Sequence, residues 1–144
     1  MKTLVIFSFL FILFFAGANE MFAQSNDGNV FIVTTFERAF PENGSANELD
    51  SLQQIMMDAS YKSNPYVVSH KTMSHWWGHN NRDFVQIIEV KSWDDVAKAY
   101  DKSEELIMKA MPNKSDRDKF SKAYDKYFTG KHSDEIYREV KFNK

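Results

Sequence analysis

Cysteine is absent from all 144 residues. A disulfide framework, a thiolate metal site, a cysteine nucleophile and a lipid-modified cysteine behind a leader are thereby excluded. No stripe of one charge exists either, because acidic and basic side chains are interleaved, as in Asp101-Lys102-Ser103-Glu104-Glu105 and Asp116-Arg117-Asp118-Lys119. That leaves no basic surface of the kind nucleic acid requires and no polybasic segment for an anionic membrane. A phosphate-binding glycine loop, a dinucleotide fingerprint and a GxSxG elbow are all missing, so kinase, hydride-transfer and serine-hydrolase chemistry lack their usual signatures. The sequence shows no internal repeat and no low-complexity segment.

The one marked apolar run lies at the N-terminus. Lys2 precedes Leu4 to Phe15, broken only by Ser8, and small residues follow as Ala16-Gly17-Ala18 and Phe22-Ala23. This is the order of a secretory signal peptide, and the run is shorter than the ~20 apolar residues of a spanning helix. Residues 1–23 are therefore expected to be a leader. Cleavage fits after Ala18 or after Ala23, and the polar spacer favours Ala23. Its removal takes Lys2 and Glu20 together, so the net charge stays at −2. Residues 24–144 are expected to form one domain, and an exported domain without disulfides points to a bacterial periplasmic or secreted protein with no membrane attachment after cleavage.

Val30 to Glu37 is apolar or β-branched on both faces and reads as a central strand. Ser45-Ala46-Asn47-Glu48 is a capping box opening a helix to about Lys62, with Leu49, Leu52, Ile55, Met56 and Ala59 as its buried stripe. Val67 to Trp77 mixes polar and apolar residues and reads as an edge strand, and Phe84 to Val90 returns as a second central one. A helix starting at Ser92 buries Trp93, Val96, Tyr100, Ile107 and Met111. A further helix from Ser115 carries Phe120, Ala123, Tyr124, Tyr127 and Phe128, with Gly130 at its C-terminus. Glu135 to Phe142 is the last, more polar strand.

The predicted class is α+β: a ferredoxin-like βαββαβ sandwich with an extra helix before the last strand, and an antiparallel sheet in the order 4-1-3-2. Both main helices then lie on one sheet face. The other face is left apolar, formed from Val30 to Phe36, Phe84 to Val90 and the Trp-bearing strand, and it needs a cover. Over Val30 to Phe142, this element order and burial pattern resembles the dimeric α+β barrel superfamily, in which two such sheets close face to face. The resemblance implies a homodimer. It also implies a choice among cofactor-free monooxygenases, haem-degrading enzymes, small isomerases and domains without activity.

The hairpin from Val67 to Val90 holds two of the three Trp and three of the four His, and its tip reads His75-Trp76-Trp77-Gly78-His79-Asn80-Asn81-Arg82-Asp83. A metal site is not expected, because His70 and His75 point to opposite strand faces and no HExxH helix accompanies them. Trp76 and Trp77 are expected to send one ring to each side of the sheet, either as packing or as the wall of an aromatic ligand pocket. Arg138 shares a nominal face with Ile136 and Val140, and if inward it needs Glu89, Glu37 or an anionic ligand. Tyr61, Tyr66 and Tyr137 are candidate hydroxyl donors in a cavity. Two functions are carried forward. One is an exported dimeric domain that holds a small apolar or aromatic molecule or acts as an envelope interaction module, with Trp76, Trp77, Asn81, Arg82 and Arg138 as ligand contacts and no cofactor. The other is a metal-free enzyme in which His70 or His75 is the general base and Asn80, Asn81 or Arg82 steadies the anion, or in which one of those His ligates haem.

Overall fold

A computed structural model describes residues 28–141. The expected leader at 1–23 and Phe142 of the last expected strand lie outside the described residues. The elements are β1 (Val30–Arg38), α1 (Ala46–Ser60), β2 (Val67–Ser74), β3 (Asp83–Val90), α2 (Asp94–Ala110), α3 (Lys114–Asp125) and β4 (Phe128–Arg138). They form one antiparallel sheet in the order β2-β3-β1-β4. This is the predicted arrangement, with the two strands that are apolar on both faces in the centre and the two mixed strands at the edges.

Alternation along the strands sorts the faces. Val30, Ile32 and Phe36 sit opposite Val90, Ile88 and Phe84 in the β1–β3 register, on the side that the helices cover. Val30, Ile32, Ile88 and Val90 join Ala99 of α2 in one buried cluster, while Leu49 of α1, Phe84 and Tyr127 form a second. Phe31, Val33 and Thr35 alternate to the opposite face, with Val85 and Ile87 across from them and Met73 and Tyr137 alongside. Among the described residues no helix covers that second face.

The buried stripes differ from the expected ones in both long helices. In α1 the buried residues are Leu49, Gln53, Met57 and Ser60, and Ile55 is 49% exposed. In α2 they are Ala99 and Ser103, flanked by Val96, and Trp93 is 62% exposed. The reason is a polar pin between the helices. Asn64 donates from Nδ2 to the Ala99 carbonyl at 2.9 Å and to Ser103 Oγ at 3.0 Å, and Ser103 Oγ reaches the Ser60 carbonyl at 3.1 Å. Small residues let the two backbones approach until these bonds close, which a stripe of Trp93 and Tyr100 would prevent.

Three boundaries also move. β2 ends at Ser74, because after the His75 amide donates to the Asp83 carbonyl at 3.0 Å the chain leaves the ladder. α3 stops at Asp125, and β4 begins at Phe128 rather than Glu135. Gly130 is therefore not a helix C-terminus. It lies in β4 with φ of +83°, inside the bulge where the β1–β4 register shifts between Phe36 and Arg38.

The first helix is capped from a distance. Ser45 Oγ accepts the Glu48 amide at 3.1 Å as the capping box requires. The reciprocal arm is taken over by Tyr127, whose hydroxyl accepts the Ser45 amide at 2.8 Å and donates to Glu48. Lys126 pairs with the same carboxylate at 3.0 Å.

Candidate functional site

A cavity lies between the helices and the sheet, with a volume of about 630 Å³. Phe36 of β1 and Gln86 of β3 form its floor. α1 supplies Met56, Met57 and Ser60, with Tyr61 just beyond its end, while α2 supplies Tyr100, Ile107 and Met108. The extra helix α3 closes one side with Arg117 and Tyr124, so its role is to narrow this cleft. The lining is mostly apolar and aromatic, with a few convergent polar groups, which is the composition of small-molecule sites.

Those polar groups are held in place. Tyr124 donates its hydroxyl to Gln53 Oε1, and Gln86 donates from Nε2 to the Tyr124 hydroxyl at 3.3 Å and to Gln53 Oε1 at 3.4 Å. Gln53 is 6% exposed and anchors the set by donating from Nε2 to Thr72 Oγ1 at 3.0 Å. Burial pushes the Tyr124 phenol up to about 12, and burial with the neighbouring Tyr100 does the same for Tyr61. Both remain neutral hydroxyls across the physiological range.

The hairpin residues singled out by sequence lie elsewhere. Trp76 and Trp77 do not send their rings to the two sheet faces: they follow the end of β2 and are 97% and 90% exposed. The turn that carries them is fixed by the Asn80 side chain, which donates to Asp83 and accepts the Arg82 amide at 3.0 Å, and by Gly78 at φ +136°. Asn81 is exposed there. Arg82 pairs with Glu37 at 3.8 Å and lies over the Phe40 ring. His75 is half-buried beside Gly78. Arg138 pairs in register with Val30 on the exposed edge strand. Its proposed partners are engaged elsewhere: Glu89 by Asn29 and Ser69, which hold its carboxyl below the usual range, and Glu37 by Arg82 and Lys131.

His70 comes nearest to the cleft without lining it. Its ring lies 5.7 Å from the Tyr61 ring, and it faces a separate polar groove of about 360 Å³ between α1 and β2 that also includes Gln53 and Thr72. Of the three tyrosines proposed as donors, Tyr61 lines the cleft. Tyr66 sits beyond it near Lys98, and Tyr137 donates to Glu135 on the open strand. Sequence reasoning missed Gln53, Gln86 and Tyr124. The available signal was a glutamine interrupting an apolar stripe in both α1 and β3. Among the described residues no group of three or more His, Asp or Glu is placed to hold a metal.

No protein-family model matches the chain, and no curated protein matches it. Solved structures do. A conserved protein from Methanosarcina mazei aligns over 80% of this chain and 96% of its own, with 10% identity and a TM-score of 0.54. A candidate antibiotic biosynthesis monooxygenase from Bordetella bronchiseptica aligns over 79% and 99%, with 6% identity and a TM-score of 0.51. One from Caulobacter crescentus aligns over 79% and 92%, with 10% identity and a TM-score of 0.50. At these identities the likeness is one of fold. The chain is a ferredoxin-like α+β protein with βαββααβ connectivity, as the sequence predicted.

Proposed function

We propose that this is an exported, homodimeric α+β domain that binds a small apolar or aromatic molecule in the cleft between its helices and its sheet. The observation that carries the reading is the cleft itself: about 630 Å³ of mostly apolar lining in which Gln86 and Tyr124 are held in place by the buried Gln53. A domain serving only as an interaction module has no use for a preformed cavity with an ordered polar floor. The open sheet face supports the homodimer: Phe31, Val33, Val85 and Ile87 alternate outward there, away from the described helices.

Cofactor-free oxygenation, one of the chemistries that the sequence left open, needs a base beside the substrate. Neither His70 nor His75 lines the cleft, whose carboxylates are Asp101 and Glu104 of α2. A haem ligated by histidine finds no such ligand there for the same reason. Binding is therefore preferred to catalysis.

Native mass spectrometry of the chain from Gln24, purified gently from its export host, tests the reading. The expected result is a dimer carrying extra mass, with the mass lost in Ile107→Trp, which fills the cleft, while the dimer persists. A monomer, or a dimer whose extra mass is unaffected by Ile107→Trp, would overturn it.

A further inference from the structure

Three tyrosines line the cleft, and their hydroxyls are not equivalent. Tyr124 is spent within the protein, donating to Gln53 and accepting from Gln86. Tyr61 is different. Its ring is wedged against the cluster of Val30, Ile32, Ile88, Val90 and Ala99, with His70 packed 5.7 Å away. Its hydroxyl lies close enough to Tyr100 and Tyr124 to interact electrostatically with both, and it has no hydrogen-bond partner among the described residues. Tyr100, half exposed at the mouth, likewise gives its hydroxyl to no described residue. Two phenols on the cleft lining therefore have no acceptor among the described residues, so a ligand acceptor there displaces no hydrogen bond within the protein.

We propose that the cleft selects a neutral apolar molecule bearing a carbonyl oxygen, which accepts from the Tyr61 hydroxyl inside and the Tyr100 hydroxyl at the mouth. This rests on the cleft reading above and names its ligand class. A carbonyl oxygen has two lone pairs for two donors, whereas a hydrocarbon leaves both phenols unpaired. Neutrality follows from the mostly apolar lining, where an unpaired charge of either sign is costly to bury, and the charged residues weigh further against an anion. Asp101 and Glu104 stand on the α2 side of the cleft, and Arg117 is engaged through Nη1 with the carbonyls of Met111 at 2.6 Å and Pro112 at 2.8 Å. An anion would face two carboxylates with that guanidinium already committed to the end of α2. Because burial keeps the Tyr61 phenol protonated, the donor is present throughout the neutral range.

The test compares 2-acetylnaphthalene with 2-isopropenylnaphthalene, equal in shape and differing in C=O against C=CH₂, by titration calorimetry on the full mature chain. The wild-type protein is expected to bind the ketone about five- to tenfold more tightly, the worth of a net hydrogen bond. Tyr61→Phe, which removes no hydrogen bond within the described protein, is expected to bring the ratio near one with affinity for the alkene unchanged. Tyr100→Phe is expected to reduce the ratio in part. Equal affinity of the wild type for both probes would overturn the carbonyl assignment and leave the cleft reading standing. A ratio unchanged in both variants would overturn the tyrosine assignment. Failure of both probes to bind the wild type would overturn the cleft reading and this inference together.

Discussion

One hydroxyl, that of Tyr127, serves two groups at the start of α1: it accepts the Ser45 amide and donates to Glu48. Tyr127→Phe keeps the buried ring and removes both hydrogen bonds, leaving Glu48 with Lys126, so it is expected to cost about 1 kcal/mol in urea unfolding. The same network sets a pH dependence. The Tyr127 hydrogen bond first, and Lys126 second, hold the Glu48 carboxyl below its ordinary value of 4.5. A lowered folded value means the contribution is complete above the ordinary value and is lost as the pH falls from there through the folded one. Stability should therefore decline below about pH 4.5, and Glu48→Gln should flatten part of that slope in urea midpoints measured across the acid range. Ser45 was readable as a cap because Ser-Ala-Asn-Glu is a local signal. The partner of its amide was not, because Tyr127 lies 82 residues away and wins over the local Glu48 side chain.

Among the elements, strands were read more surely than helix faces. β1 and β3 announce themselves by being apolar on both sides, and this fixed the sheet order. The helix faces turned on packing distance: Ala99 and Ser103 are buried because Asn64 pins α1 to α2, while the larger Trp93 and Tyr100 are displaced outward. A hydrophobic count favours the larger side chains and so points to the wrong stripe. β4 was started too late for a related reason. Gly130 resembles a helix terminator in sequence, yet its φ of +83° is spent on a strand bulge that lets Phe128 pair with Arg38. Space around it is open, so Gly130→Ala isolates the backbone term and should destabilise the protein by about 1–2 kcal/mol in thermal or urea unfolding. A neutral result would mean that the bulge tolerates an ordinary backbone there.

The whole molecule has two apolar surfaces to account for, the cleft under the helices and the open face of the sheet. The open face centres on Val33 and Ile87, paired in register. Ile87→Asp places a charge in its middle and is expected to convert the proposed dimer to monomer in sedimentation velocity while the far-ultraviolet spectrum stays folded. The class of fold and the need for a cover on this face were legible from strand patterning. The cleft was not, because it is assembled from residues on five segments with no shared motif, whereas the Trp-rich hairpin drew the eye with composition alone. The most direct test is an amide chemical-shift map of the isotopically labelled mature chain titrated with 2-acetylnaphthalene. Perturbations centred on Phe36, Tyr61, Gln86, Ile107 and Tyr124 are the predicted result. Perturbations centred on His75 to Arg82, or none at all, would contradict it.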